Sequence, residues 1–185
     1  MYPSSNSSTT SFDVESWIKN TLPDASSLES VTLKAVEGFV ILWNIFERSI
    51  CSKKKNERNM VEAFQRITQN LPNTAKLEES VNKSLSFYQD RYVQGREMKP
   101  TFYNLHFQRS DRQDYVEAVL KGSVIEFSGK VLTLLIIAYR IRNNLFHGLK
   151  AVVEWNEQAE NIAEASRVLS FMIEDCITRN TAKYL

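Results

Sequence analysis

Residues Ser123 to Phe146 read SVIEFSGKVLTLLIIAYRIRNNLF, and the middle of this stretch decides the fold. The run from Val131 to Ala138 is the longest apolar run of the chain and would be apolar on every side of a helix. That pattern is typical of a helix enclosed by other helices. The run is too short to cross a bilayer, which takes about 20 apolar residues. Ser123 and Glu126 match a capping box, so we predict a buried central helix from Ser123 to Phe146.

The remainder of the chain shows helical spacing of apolar residues on one face. The stretch 94–110 contains Gly95 and Pro100 and breaks this spacing, so we predict a long loop near 94–110. No stretch shows the alternation of a half-buried strand. The sequence therefore predicts an all-α fold, a helical bundle of four to six main helices. Besides the central helix, the predicted helices cover residues 12–22, 33–50, 56–71, 75–93, 110–120 and 154–179.

Composition narrows the class of protein. The chain has 185 residues, 43% of them apolar, with only 5 Gly and 4 Pro, which favours a single domain of long helices. The net charge is +1, so any contact with nucleic acid must be local. Cys51 and Cys176 match no metal-ligand spacing and indicate reduced thiols in a cytoplasmic protein. Met1 to Ser11 contains no apolar stretch, so we expect a disordered tail there and no signal peptide. We expect one helical domain at 12–180 and no contact with a membrane, because the longest apolar run is too short to span one.

The central helix ends in a polar segment, Arg140-Ile141-Arg142-Asn143-Asn144-Leu145-Phe146-His147-Gly148. Arg142 offers a permanently charged fork that fits a phosphate. His147 titrates near neutral pH and can act as general acid or base. Asn143, four residues before His147, can orient the imidazole or a phosphate oxygen. These groups suit cleavage of an RNA phosphodiester by its own 2'-hydroxyl, which requires no metal and no cofactor. A structural alternative is a polar C-cap, because Gly, Arg and His favour helix C-termini.

The segment resembles the signature of the HEPN superfamily: an Arg, four to six residues, then a His, with a polar residue after the Arg. Arg142, Asn143 and His147 match it, and residues 42–47 (LWNIFE) resemble the early helix of several HEPN families. The resemblance spans roughly residues 33–177. It implies a helical bundle, a two-fold homodimer with facing motifs, and a metal-independent endoribonuclease. Many members serve in toxin–antitoxin or phage-defence systems, so it also implies an antitoxin or defence partner protein. Some HEPN toxins carry a modified Tyr two residues after the His, whereas this chain has Leu149.

Further residues are candidates for supporting roles. Glu47 lies beside an apolar stripe and can be a buried partner of Arg142 or Arg140, or an edge residue that reaches solvent. His106 stands outside any motif and is interpreted as a loop histidine. Asn144 and Arg140 flank the motif as supporting residues. Basic residues that can contact the RNA backbone are Lys53, Lys54, Lys55 and Arg109, although a lysine run is usually a solvated turn.

Three functional hypotheses follow from the sequence. The first is a HEPN ribonuclease with Arg142, Asn143 and His147 as catalytic residues. The second is a non-catalytic HEPN-like module that binds RNA, nucleotide or a partner protein through Arg142. The third is a helical interaction domain whose motif is only a C-cap, which predicts that Arg142 and His147 are both satisfied locally.

Overall fold

A computed structural model describes residues 12–22, 25–51, 54–146 and 152–181. Over these ranges the chain forms eight α-helices and one two-stranded antiparallel hairpin, which confirms the predicted all-α fold. The predicted tail, Met1 to Ser11, lies outside the described residues. The helices are α1 (Val14–Thr21), α2 (Ser30–Ser49), α3 (Met60–Gln69), α4 (Ala75–Tyr92), α5 (Pro100–Tyr103), α6 (Gln113–Leu120), α7 (Phe127–Phe146) and α8 (Ala159–Thr178), and the strands are β1 (Val93–Gln94) and β2 (Glu97–Met98).

The centre of the bundle is α7. Thirteen of its twenty residues are buried, including every residue from Val131 to Ala138, so the predicted enclosure is confirmed. It packs against α3, α4, α6 and α8, while α2 makes its main contact with α8. Tyr139 continues the core toward α2 and α3, because its ring lies 6.0 Å from the Trp43 ring and 5.9 Å from the Phe64 ring. The apolar run thus fixes α7 within the bundle, and most polar side chains of α7 lie in the turns before and after this run.

The central helix begins later than its capping-box pattern predicts. The Ser123 amide donates to the Ala118 carbonyl at 2.8 Å, and Gly122 has a left-handed φ of 77°. This arrangement closes the C-terminus of α6, where glycine tolerates a positive φ without steric strain. Ser123 is therefore committed to the preceding helix, and α7 starts at Phe127. The last helix also starts later than predicted, at Ala159, after a 3-10 segment at Val152–Gln158.

The stretch 94–110 is more ordered than the predicted long loop. It holds the end of the β1–β2 hairpin, with Gly95 at a φ of 62° in its turn, and then α5. Phe102 is fully buried and Leu105 nearly so, which means that this stretch contributes side chains to the core. A 3-10 turn at Arg109–Asp111 follows. This stretch connects α4 to α6 as predicted, but the sequence did not indicate its hairpin, because two-residue strands are too short to show alternation.

The length and hydropathy of the helices bear on membrane insertion. Among the residues described, none of the helices is both long and apolar enough to span a bilayer. This agrees with the short apolar run seen in the sequence.

Candidate functional site

The C-terminal turns of α7 hold the segment that follows α5. Three consecutive carbonyls of that segment accept hydrogen bonds from α7 side chains. Asn144 Nδ2 donates to the Asn104 carbonyl at 3.0 Å. Arg140 donates from Nε to the Leu105 carbonyl at 3.0 Å and from Nη2 to the His106 carbonyl at 2.5 Å. Residues 104–106 are therefore fixed against the end of α7 that carries the candidate motif.

Arg140 also forms a buried ion pair with Asp111. Its Nη1 lies 3.0 Å from Asp111 Oδ2, and both side chains are less than 5% exposed. Of the two interpretations of Glu47, a buried partner of an arginine or an edge residue, the structure does not show the pairing with Arg140. Glu47 is half-buried and accepts a hydrogen bond at 2.7 Å from Trp43 Nε1, one turn earlier on α2. Arg140 is a structural residue, since its guanidinium is used by two carbonyls and a carboxylate.

Arg142 differs from Arg140 in having few partners. Its Nη1 donates to the neighbouring Asn143 Oδ1 at 3.2 Å, and its Cζ lies 4.8 Å from the centre of the Phe146 ring. Its Nε is buried without a hydrogen-bond partner, and no carboxylate of the described ranges pairs with it. A half-buried guanidinium without a counter-ion is suited to an anionic ligand such as a phosphate. The C-cap hypothesis predicts that Arg142 and His147 are both satisfied locally. Arg142 Nη1 bonds to the adjacent Asn143 whereas its Nε has no partner, and His147 lies outside the described residues, so that hypothesis stays a prediction.

The two amides beside Arg142 have different roles. Asn143 and Asn144 are both buried on α7, at 7% and 8% exposure. Asn143 contacts the Arg142 guanidinium, whereas Asn144 is bound to the backbone of Asn104. Asn143 is therefore placed to orient Arg142, and Asn144 anchors the adjoining segment. His147 follows Phe146 directly in the chain but lies outside the described residues, as do Leu149 and Lys53.

The candidate RNA-contacting residues fall at two places. Arg109 is exposed in the 3-10 turn that Arg140 holds through Asp111, so it lies on the segment fixed against the motif. Lys54 and Lys55 are exposed in the connection between α2 and α3, where the Lys54 amide donates to Glu57 at 2.6 Å. His106 is exposed as well, with a left-handed φ of 52° that is uncommon outside glycine. Its carbonyl, not its imidazole, accepts the bond from Arg140.

A cavity of about 130 Å³ opens beside the same end of α7. Its polar wall includes Asn161, which is 1% exposed and accepts a hydrogen bond at 3.2 Å from the Tyr92 hydroxyl. Burial raises the pKa of Tyr92 above its usual value, although the neighbouring Arg91 guanidinium opposes the rise, so the hydroxyl keeps its proton. The sequence did not indicate this cavity, because its walls come from four separate stretches of the chain. The lining comprises Arg91, Tyr92, Thr101, Asn104, Leu105, Ile141, Asn144, Leu145, Trp155, Glu157, Gln158, Asn161 and Ile162.

Neither a metal site nor a similar protein identifies the function. The described ranges contain no group of three or more His, Cys, Asp or Glu residues that could hold a metal ion. Comparison with models of protein families, with curated proteins and with solved structures gives no match. The function is therefore inferred from the residues of this chain alone.

Proposed function

We propose that this protein is a metal-independent endoribonuclease of the HEPN type. The observation that carries the proposal is Arg142, a half-buried guanidinium with an unpartnered Nε and no carboxylate partner in the described part of the chain. The neighbouring Arg140 is fully used by the fold, so the two arginines of the motif have separate tasks. The dipole of α7 favours a cation at this end of the helix, and the unpartnered Nε leaves the guanidinium able to bind an anion as well.

The proposed reaction is a transesterification within the RNA strand. The 2'-oxygen attacks the adjacent phosphorus, a bond forms between them, and the bond from phosphorus to the 5'-oxygen breaks. The 2'-hydroxyl proton passes to a general base, and a general acid protonates the leaving 5'-oxygen. The products are a 2',3'-cyclic phosphate and a 5'-hydroxyl, so no oxidant, metal or water is consumed.

Each motif residue has a distinct role in this scheme. Arg142 stabilises the charge that develops on the phosphate oxygens, as preorganised donors do in other phosphoryl transfers. Asn143 orients Arg142 through the contact at 3.2 Å. His147 serves as the acid–base group, because an imidazole can both accept and donate a proton near neutral pH. Asn144 and Arg140 support the site by fixing residues 104–106 beside it, and Glu47 supports it by holding Trp43, whose ring stacks on Tyr139 of α7.

We further propose that the protein acts as a homodimer in a toxin or phage-defence system. Phe146, next to the motif, is 51% exposed, and a partner chain can cover such an apolar side chain. A two-fold axis there would bring two copies of Arg142 and His147 together, which supplies both a base and an acid. A protein antitoxin can mask the same surface.

The test is cleavage of RNA by purified protein, with Arg142→Gln as the diagnostic variant. Loss of one donor to a transition-state anion is expected to lower the rate by about 10²–10³-fold. Arg48→Gln is the matched control, because Arg48 is an exposed arginine on α2 and its loss removes the same charge. Equal activity of Arg142→Gln and Arg48→Gln would contradict the proposal. If wild type binds RNA through Arg142 but cleaves none, the chain is instead a non-catalytic HEPN-like binding module.

A further inference from the structure

Two buried polar atoms without partners belong to residues that line the cavity beside α7. Asn144 Oδ1 is one of them, and the hydrogen bond on the other side of the amide decides which of its two atoms faces the cavity. The Asn104 carbonyl can only accept, so Nδ2 must face it, and Oδ1 is left without a donor. The other atom is Nε of Arg91, whose Nη2 already donates to the Glu157 carbonyl at 3.1 Å. Buried polar atoms are rarely left unpaired, so these two need a ligand or ordered water.

The two atoms are complementary in kind. Asn144 Oδ1 requires a donor and Arg91 Nε requires an acceptor, so a suitable ligand carries both groups. The remaining walls are partly polar and partly apolar or aromatic, and Leu105, Ile162 and the half-buried Trp155 belong to the apolar part. A flat ring with donors and acceptors on its edge matches such walls, because nucleobases stack on aromatic side chains while their edges form hydrogen bonds.

The charge of the cavity also selects the ligand. Its lining contains one arginine, Arg91, and one carboxylate, Glu157, so its formal charge is zero. These walls offer no net positive charge to a phosphate, whereas a neutral base needs none. The volume of about 130 Å³ is small beside the roughly 300–1,000 Å³ of drug-sized sites, which fits one ring system.

The cavity lies within reach of the phosphate-binding candidate. Leu145 lines the cavity and is three residues after Arg142 on α7. Residues at that spacing are neighbours on a helix surface, with about 5–6 Å between their Cβ atoms. A nucleotide can therefore place its base in the cavity while its phosphate approaches Arg142.

We propose that this cavity, lined by Arg91, Asn144, Trp155 and Asn161, is a nucleobase-binding site. As a subsite for one base of the RNA, the proposal rests on the proposed ribonuclease function. As a site for a free nucleoside or nucleotide, the proposal does not depend on the ribonuclease function. Cleavage would then prefer RNA that carries the fitting base beside the scissile bond.

The direct test is titration of the ¹⁵N-labelled full chain with adenosine, guanosine, cytidine and uridine in separate NMR experiments. The chain has three tryptophans, so the Trp155 indole signal is assigned with a Trp155→Phe variant. We expect at least one nucleoside to shift the Trp155 signal saturably. Trp43 is the internal control, because its indole is buried and bound to Glu47, so its signal should stay in place. No saturable shift with any of the four nucleosides would overturn the proposal and leave ordered water as the occupant.

Variants identify the contact that matters. Arg91→Met keeps much of the length of the side chain but removes Nε, and it should weaken nucleoside binding by about tenfold or more, as the loss of a charged donor does. Lys83→Met removes a cation from the exposed side of the same helix and should bind as wild type does. Equal affinities for the two variants would overturn the proposal. If Arg91→Met fails to fold, Thr101→Phe at the exposed rim should abolish binding by filling the mouth.

Two further measurements show whether the bound base belongs to the RNA substrate or to a free nucleoside or nucleotide. If the site holds a base of the RNA, the bound nucleoside inhibits RNA cleavage competitively and Arg91→Met changes the sequence preference. If the nucleoside binds without competing, the ligand is a free nucleoside or nucleotide. Nucleoside binding without any RNA cleavage by wild type would refute the ribonuclease and leave the nucleobase site standing.

Discussion

Replacement of Arg140 by methionine should destabilise the fold far more than the same replacement of Arg142. Arg140→Met leaves Asp111 as a buried carboxylate without its cation and two carbonyls without their donor. Arg142→Met removes a contact to Asn143 and a stacking contact with Phe146, on a side chain that already reaches solvent. The two variants therefore make identical chemical changes two residues apart in different surroundings.

The magnitudes follow from burial. Removal of one partner of a buried ion pair costs about 3–5 kcal/mol, because the remaining charge stays uncompensated. Loss of the half-exposed contacts of Arg142 should cost about 1 kcal/mol. For a chain of this size each kcal/mol corresponds to roughly 2–4 °C in Tm, so Arg140→Met should lower Tm by roughly 6–20 °C.

Urea unfolding followed by circular dichroism measures both free energies. The double variant Arg140→Met with Asp111→Asn is the control, because it removes the uncompensated charge and should recover about half of the loss. The side-chain oxygen that remains after Asp111→Asn can still accept the bond that the Gln108 amide donates to Asp111 at 2.8 Å. An Arg140→Met protein within about 1 kcal/mol of wild type would refute the buried pair, since such values are typical of exposed ones.

Three further predictions concern the proposed chemistry. His147→Ala should lower RNA cleavage by about two to four orders of magnitude while leaving the far-UV circular dichroism unchanged, and full activity of this variant would exclude His147 as the acid–base group. Cleavage should continue in EDTA and yield 2',3'-cyclic phosphate ends, detectable by mass spectrometry; complete inhibition that magnesium reverses would argue for a metal mechanism. A homodimer should be seen by light scattering, and a mixture of inactive Arg142→Gln and His147→Ala chains should regain part of the activity if two copies share one site. A monomer that cleaves RNA at micromolar concentration would contradict the shared site.

The amino-acid pattern predicted the architecture better than the ends of its elements. The apolar run 131–138 predicted a buried helix correctly, because no other position in a helical bundle tolerates it. The capping pattern at Ser123 was misleading, since the same residue also follows Gly122, and the end of α6 takes it. The sequence alone does not decide between two helix ends that compete for one residue.

The candidate site was predictable only in part. Arg142, Asn143 and His147 stand out because they are closely spaced polar groups after an apolar helix. Asp111 gave no such signal, since its pairing with Arg140 depends on how a distant segment folds back. The same holds for Arg91 and Asn161, which come from different helices and reach the cavity only in the folded chain.

One guanidinium, that of Arg140, binds the chain at both Leu105–His106 and Asp111, so it acts as a non-covalent staple across a short loop. Between these attachment points, residues 108–110 are exposed. The entropy of closing a loop grows only logarithmically with its length, and doubling it costs about 0.6 kcal/mol. Added residues at 108–110 would therefore raise the cost of loop closure only a little, but they would break the turn in which Gln108 and Asp111 bond to one another. The loop that this guanidinium closes should therefore tolerate exchange of the exposed side chains at 109–110 better than a change of its length.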